Sequence, residues 1–310
     1  MSPLPSSLTR RLLRLPFPFS APTVPGGVEA PERKQRSGAD YDTSWARRYP
    51  ARLARVALVE AVARPVVAAL ARPERHGLDR LDTLAATGGG PVIFAANHHS
   101  HVDTPLLVTT IPEPWRHQLF VVAAADYFFR TAATSALSAL ALGAIPMDRA
   151  KVGRRSADRA AALLDDGWSM LIFPEGGRSP DGWGQPFRGG AAYLAMRCGV
   201  PVVPVHIDGT GRILRKGRKL PSPSTARVTF GAPLLPAPGD DSRRFAATIE
   251  RAVAGLADEA TTDWWSARRR SHAGESPPLA GPDAPAWRRA WALGDPDRKR
   301  TRQRRRWPEL

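Results

Sequence analysis

The sequence predicts an α/β fold, one sheet flanked by helices, and three observations carry that prediction. Five short runs rich in Val, Ile, Leu and Phe recur through the middle of the chain. Between them lie segments with apolar residues three and four apart, the period of a helix packed on one side. Several of the runs are apolar at every position, as strands covered on both faces are. With 310 residues, 43% of them hydrophobic, there is material for one sizeable α/β domain with tails, or for two small domains.

Residues 1–43 are rich in Pro, Ser, Gly and Arg without periodicity, which predicts a disordered N-terminal tail. Prolines interrupt its opening residues, so it does not read as a secretory signal. The main domain is expected over 44–262. It opens on a helical pattern at 45–71, where Leu53, Val56, Val59 or Glu60, Val62, Val66 and Leu70 approximate one face and Arg48, Arg52, Arg55 and Arg64 lie mainly elsewhere. Pro65 should kink or divide this helix. A basic amphipathic helix can cover a domain or lie on an anionic bilayer; packing is the preferred reading.

The strands follow: PVIFAA (91–96), LFVVAAA (119–125), SMLIF (169–173), VPVVPVHI (200–207) and ARVTF (226–230), with helices at 156–166, 190–199 and 243–258. Pro201 and Pro204 place the fourth strand at an edge or make it irregular. The run TAATSALSALALGAIPM (131–147) comes nearest to a membrane span, but it falls short of the roughly 20 residues needed, so a buried or interfacial helix is expected. Residues 263–310 interleave Arg, Pro and Trp and read as a basic tail without a packed core. Such a tail can bind nucleic acid or settle at a bilayer interface, or simply be solvated.

Lys and Arg number 45 against 29 Asp and Glu, a formal charge of +16. Some surface should therefore attract anions: nucleic acid, acidic lipid head groups or phosphorylated cofactors. Cys198 is the only cysteine, which excludes an intrachain disulfide and a cysteine zinc cage, and its surroundings suggest a buried, inert thiol.

Chemistry concentrates in three places. In NHHSHVD a strand ends just before Asn97, so His98 emerges at the carboxyl end of the sheet, where α/β proteins place their sites. Asp103, five positions on, is within reach of a new helix's first turn and could hold one imidazole nitrogen while the other faces a substrate. Metal binding and chance surface placement remain open. Adjacent His98 and His99 should point apart, and His76, His117, His206 and His272 are scattered. In FPEGGRS (173–179) two glycines and Arg178 could seat a phosphate, or form an ordinary turn with an ion pair to Glu175. In GAIPMDR, Arg149 follows Gly143 by six positions, a weak signal alone.

In order and spacing these pieces resemble the glycerophospholipid acyltransferase family, of the lysophosphatidate acyltransferase type, over roughly residues 75–232. NHHSHVD is similar to its NHxSxxD block, GAIPMDR to its glycine-to-arginine block, FPEGGRS to its FPEGTRS block and VPVVPVHI to its apolar proline block. Phe187 and Gly189 in FRGG resemble the FKxG element that follows the third block.

The resemblance implies a single mixed sheet of the glycerol-3-phosphate acyltransferase-like kind. It implies His98 as base and Asp103 as its partner; Arg149, Glu175, Gly176 and Arg178 on the phosphorylated acceptor; and Pro204 shaping an apolar wall near the acyl chain. Acyl-CoA or acyl-carrier protein would be the co-substrate, with no cofactor and no metal. A lysophospholipid, foremost 1-acylglycerol 3-phosphate, would be the acceptor, with glycerol 3-phosphate, a lyso-aminolipid or a glycolipid as alternatives. The expected location is cytoplasmic, peripheral on the inner face of the cell membrane and bound to its anionic surface, with nucleic acid an improbable partner. Gly177 stands where the family usually has Thr, and His99 and His101 fall at variable positions. Outside this class stand a metal-dependent hydrolase and a non-enzymatic basic protein that binds lipid or nucleic acid.

Overall fold

The structure, a computed structural model, describes residues 37–86, 88–147, 154–214, 220–285 and 287–289. Seven strands form one sheet: β1 (Glu74–His76), β2 (Ile93–Ala96), β3 (Leu119–Ala124), β4 (Ala144–Met147), β5 (Ser169–Ile172), β6 (Val202–Asp208) and β7 (Arg227–Phe230), in the spatial order β1-β7-β6-β2-β5-β3-β4. Every pairing is parallel except β6 with β7. The sheet is therefore mixed, as expected.

The principal helices are α1 (Tyr49–Leu58), α2 (Arg64–Ala71), α3 (Asp103–Thr110), α4 (Ala132–Leu142), α5 (Arg154–Asp165), α6 (Gly190–Cys198), α7 (Ser242–Thr261) and α8 (Trp264–Ala273). Alternation along each strand sends neighbours to opposite faces. Phe94, Ala96, Val203, Val205 and Ile207 join α2 and α3 in one core, while Ile93, Ala95, Met170 and Val202 meet α5, α6 and α7 in the other. Strands β2 and β5 are buried at every position, which explains why their sequences run apolar without a break. A fully buried ring such as Phe94 contributes about 2–3 kcal/mol by transfer from water.

Four expectations are corrected. The proline strand β6 is interior, between β2 and β7. Pro204 is tolerated because β7 ends at Phe230. The Pro204 carbonyl accepts from Gly231 N at 2.8 Å, so only the reciprocal ladder bond is given up, and pairing resumes where Val202 meets Leu234. A Cβ on Gly231 would come within 2.6 Å of Pro204 Cγ, so glycine is required there.

Residues 131–147 form two elements, not one helix. Thr131 and Thr134 cap the start of α4, and Gly143 at φ 61° stops it. The next four residues become β4 on the sheet edge.

The helix at 45–71 is divided as Pro65 requires, through a π-helical turn at Val59–Ala63. That turn changes the helical phase, so Arg55, Val59, Val67 and Ala71 face inward while Leu53, Val62 and Val66 of the expected inner face are exposed.

The segment after Thr262 is structured as far as it is described. Asp263 caps α8 through Ser266 N, Ala267 is buried, and Arg270 makes two 2.7 Å bonds to the buried Asp258 of α7. Tyr41 and Thr43 likewise belong to the domain: Thr43 is buried, and the Tyr41 ring lies 5.8 Å from that of Phe129. The first 36 residues, Arg149 and residues 290–310 lie outside the described residues.

Candidate active site

The carboxyl ends of three adjacent strands, β2, β5 and β3, meet at one cleft of about 370 Å³ lined by His98, His101, Thr104, Tyr127, Phe128, Gly177 and Arg178. Where β2 ends, Asn97 continues its pairing with a side chain. The amide Nδ2 donates to Ile207 O at 2.8 Å and Oδ1 accepts from Ile207 N at 2.7 Å. A terminal amide offers both a donor and an acceptor, so it can stand in for one more rung of the β2–β6 ladder. This fixes where the following loop begins.

His98 is next. Its Nδ1 lies 2.8 Å from Asp103 Oδ2, and the same oxygen accepts the N–H groups of His99 and Ser100 at 2.7 Å each. A carboxylate only accepts, so Nδ1 carries the hydrogen and Nε2 keeps its lone pair for the cleft. Asp103 is the first residue of α3 and fully buried. Its charge there gains from the helix N-terminus as well as from the donors.

The FPEGGRS segment surrounds His98. Phe173 stacks on the imidazole with centroids 4.1 Å apart and planes at 19°. Glu175 Oε1 accepts from His98 N at 2.8 Å, and Ser179 N donates to His98 O at 2.8 Å. The second Glu175 oxygen accepts from Gln185 N at 2.9 Å. Glu175 thus faces inward, tying two loops together, and burial raises its carboxyl to about 7. Gly176 sits at φ 74°, and a Cβ there would come within 2.9 Å of the Arg188 guanidinium.

Of the residues singled out by sequence, His98, Asp103, Glu175, Gly176 and Arg178 therefore converge. Pro204 lies below them in β6 and is absent from the cleft lining. His101, at a position expected to be variable, lines the cleft beside His98. Asn97, Phe173, Ser179 and Arg188 received no role from sequence. The signal available for Asn97 was an amide at the end of an otherwise apolar strand; none existed for the others beyond their place in the block.

Past Ser179 the loop is strapped by the C-terminal segment. Arg289 binds Asp181 Oδ2 through Nε at 2.9 Å and Nη2 at 2.8 Å, and its carbonyl accepts from the Trp183 indole at 3.1 Å. Gly184 N donates to Leu279 O at 2.9 Å. Among the described residues no group of three or more His, Cys, Asp or Glu converges as a metal site.

Known proteins resemble the part of the chain that carries this site. Residues 72–208 match the family model described as Acyltransferase. The chain is 32% identical over 130 residues to the 1-acyl-sn-glycerol-3-phosphate acyltransferase BAT2, chloroplastic, of Brassica napus, covering 41% of this chain and 36% of that one. It is 26% identical over 176 residues to the mouse 1-acyl-sn-glycerol-3-phosphate acyltransferase alpha, covering 53% and 60%. The chain thus spans less than two thirds of the length of either relative. The crystal structure of the 1-acyl-sn-glycerophosphate acyltransferase PlsC from Thermotoga maritima superposes with a TM-score of 0.56 at 23% identity, over 69% of this chain and 82% of that one, and shares its fold. The region that resembles the Acyltransferase model carries the histidine and carboxylate pair and the glycine-rich loop around it.

Proposed function

We propose that this protein transfers a fatty acyl group from a thioester donor, acyl-CoA or acyl-carrier protein, to the free hydroxyl of a lysophospholipid, with 1-acylglycerol 3-phosphate as acceptor and phosphatidate as product. The observation that carries the proposal is the His98–Asp103 pair, oriented at Nδ1 and free at Nε2, on the wall of a cleft that also holds Arg178.

The acceptor hydroxyl is a weak nucleophile at neutral pH. His98 Nε2 takes its proton as the oxygen attacks the thioester carbonyl, and Asp103 stabilises the imidazolium that forms. The carbon–sulfur bond then breaks, and the departing thiolate takes the proton from His98. Arg178 binds the acceptor phosphate and sets the hydroxyl at attacking distance, with Arg149 as its proposed companion. Glu175, Ser179 and Phe173 fix the backbone and ring of His98.

Membrane association belongs to the same proposal. Tyr49, Leu53, Val62 and Val66 on the α1–α2 rod, and Trp264 and Trp265 on α8, are exposed beside arginines, as suits an anionic bilayer surface on the cytoplasmic side. No helix among the described residues is long and apolar enough to cross a membrane. The test is to incubate purified protein with oleoyl-CoA or oleoyl-carrier protein and 1-acylglycerol 3-phosphate, reading free thiol and acylated lipid together. Phosphatidate formed in step with free thiol supports the reading. Thiol release without acylated lipid, or dependence on added zinc, contradicts it.

A further inference from the structure

The loop position next to Arg178 carries glycine for no reason of folding. A Cβ added at Gly177 would meet nothing within 4 Å, and its φ lies outside the left-handed range that favours glycine. Neighbouring Gly176 is the opposite case, held at φ 74° with Arg188 against it. Gly177 lines the cleft that holds His98, and a side chain there would project into open space.

Across this space stands a built wall. The His101 and Tyr127 rings stack with centroids 5.1 Å apart and planes at 19°, and Tyr127 OH lies 3.2 Å from His101 Nε2. The Phe128 ring packs edge-on against Tyr127 at 5.0 Å. His101 comes from the loop after β2 and Tyr127 from the turn after β3, so two separate elements supply this pair. Burial, and then the charge of Arg178, hold His101 below the ordinary histidine range, so it presents a neutral imidazole at pH 7.

Among the described residues the lining contains the cation of Arg178, polar groups on His101, Tyr127 and Thr104, and no Asp or Glu. A cationic head group would meet Arg178 with no carboxylate to offset it, whereas a hydroxylated anionic one finds donors and acceptors. We infer that His101, Tyr127 and the space over Gly177 form a head-group subsite that admits lysophospholipids with a hydroxylated phosphodiester head group, of the glycerol type, in addition to the bare phosphomonoester. This rests on the acyl-transfer reading above. Arg178 then holds the phosphodiester, and the hydroxyls beyond it bond to His101 and Tyr127.

The experiment compares kcat/KM for lysophosphatidylglycerol, lysophosphatidylcholine and lysophosphatidate, with oleoyl-CoA and oleoyl-carrier protein each as donor, in wild type and in Gly177→Thr, Gly177→Ala, His101→Ala and Tyr127→Phe. Unfolding midpoints confirm that each variant is folded. Wild type is expected to acylate lysophosphatidylglycerol and to leave lysophosphatidylcholine unused. The ratio of lysophosphatidylglycerol to lysophosphatidate kcat/KM should fall about tenfold in Gly177→Thr and in His101→Ala, and less in Gly177→Ala and Tyr127→Phe. If lysophosphatidate is used and lysophosphatidylglycerol is not, the subsite is refuted while acyl transfer stands. A ratio that does not move in any variant, or equal use of lysophosphatidylcholine, also overturns it. Silence with all three acceptors overturns both readings together.

Discussion

The carboxylate of Glu175 accepts the backbone N–H of His98 at 2.8 Å and is absent from the cleft lining. The acidic residue of the glycine-rich block is therefore part of the support for His98, and its titration should be visible in the stability of the fold.

Burial raises Glu175 from 4.5 to about 7. The folded state then keeps a proton that the unfolded chain gives up, so the stabilisation from this group is complete below pH 4.5 and is lost as pH rises to about 7. Glu175→Gln removes that slope. It also turns an amide NH₂ toward one backbone N–H, which should cost about 1–3 kcal/mol. Urea midpoints at pH 5 and pH 8 for both proteins check this, and an unchanged pH slope in the variant would count against it.

His206 should act in the opposite sense. It is buried in β6 with no partner on Nδ1, and burial lowers it from 6.5 to about 4. Its contribution is present above pH 6.5 and is lost as pH falls toward 4. In His206→Asn the drop in melting temperature between pH 7 and pH 4.5 should shrink relative to wild type. A drop of the same size would mean that His206 is not buried as described.

Arg289 and Asp181 join the C-terminal segment to the loop that holds His98 through Ser179. Both side chains are partly exposed, so Arg289→Ala should cost only about 1 kcal/mol of global stability. Local opening should respond more. Amide exchange at Gly182, Gly184 and Gln185 is expected to accelerate in the variant while that of β2 and β5 does not, and uniform protection would show that the strap does not hold the loop.

For the α1–α2 rod, replacing Leu53, Val62 and Val66 together by Ser changes side chains that are about half exposed. Co-sedimentation with vesicles of phosphatidylglycerol and phosphatidylcholine should weaken by about tenfold or more with little change in melting temperature. Undiminished binding would place the bilayer contact elsewhere.

The sheet was legible because its central strands are apolar at every position, and the contact of His98 with Asp103 because they lie five residues apart across a strand end. What escaped has physical causes. Strand β1 is three exposed polar residues, stabilised by pairing with β7, and has no apolar signal. Pro204 argued for an edge because the sequence does not reveal that β7 ends one residue short of it. The inward face of the first helix differs from the expected one because the π turn before Pro65 breaks the regular period on which such a reading depends. The resemblance implies Glu175 on the acceptor; what the sequence does not show is that two backbone N–H groups converge on its carboxylate. His101 gained a place in the cleft from Tyr127, which is 26 residues away in sequence.

The central claim is that His98, oriented by Asp103, is the base in acyl transfer. Its most direct measurement is the rate of phosphatidate formation from oleoyl-CoA and lysophosphatidate by wild type and by folded His98→Ala, under saturating substrates. Turnover is predicted to fall by about a hundredfold or more, with melting temperature nearly unchanged. A variant that still turns over at the wild-type rate would contradict it.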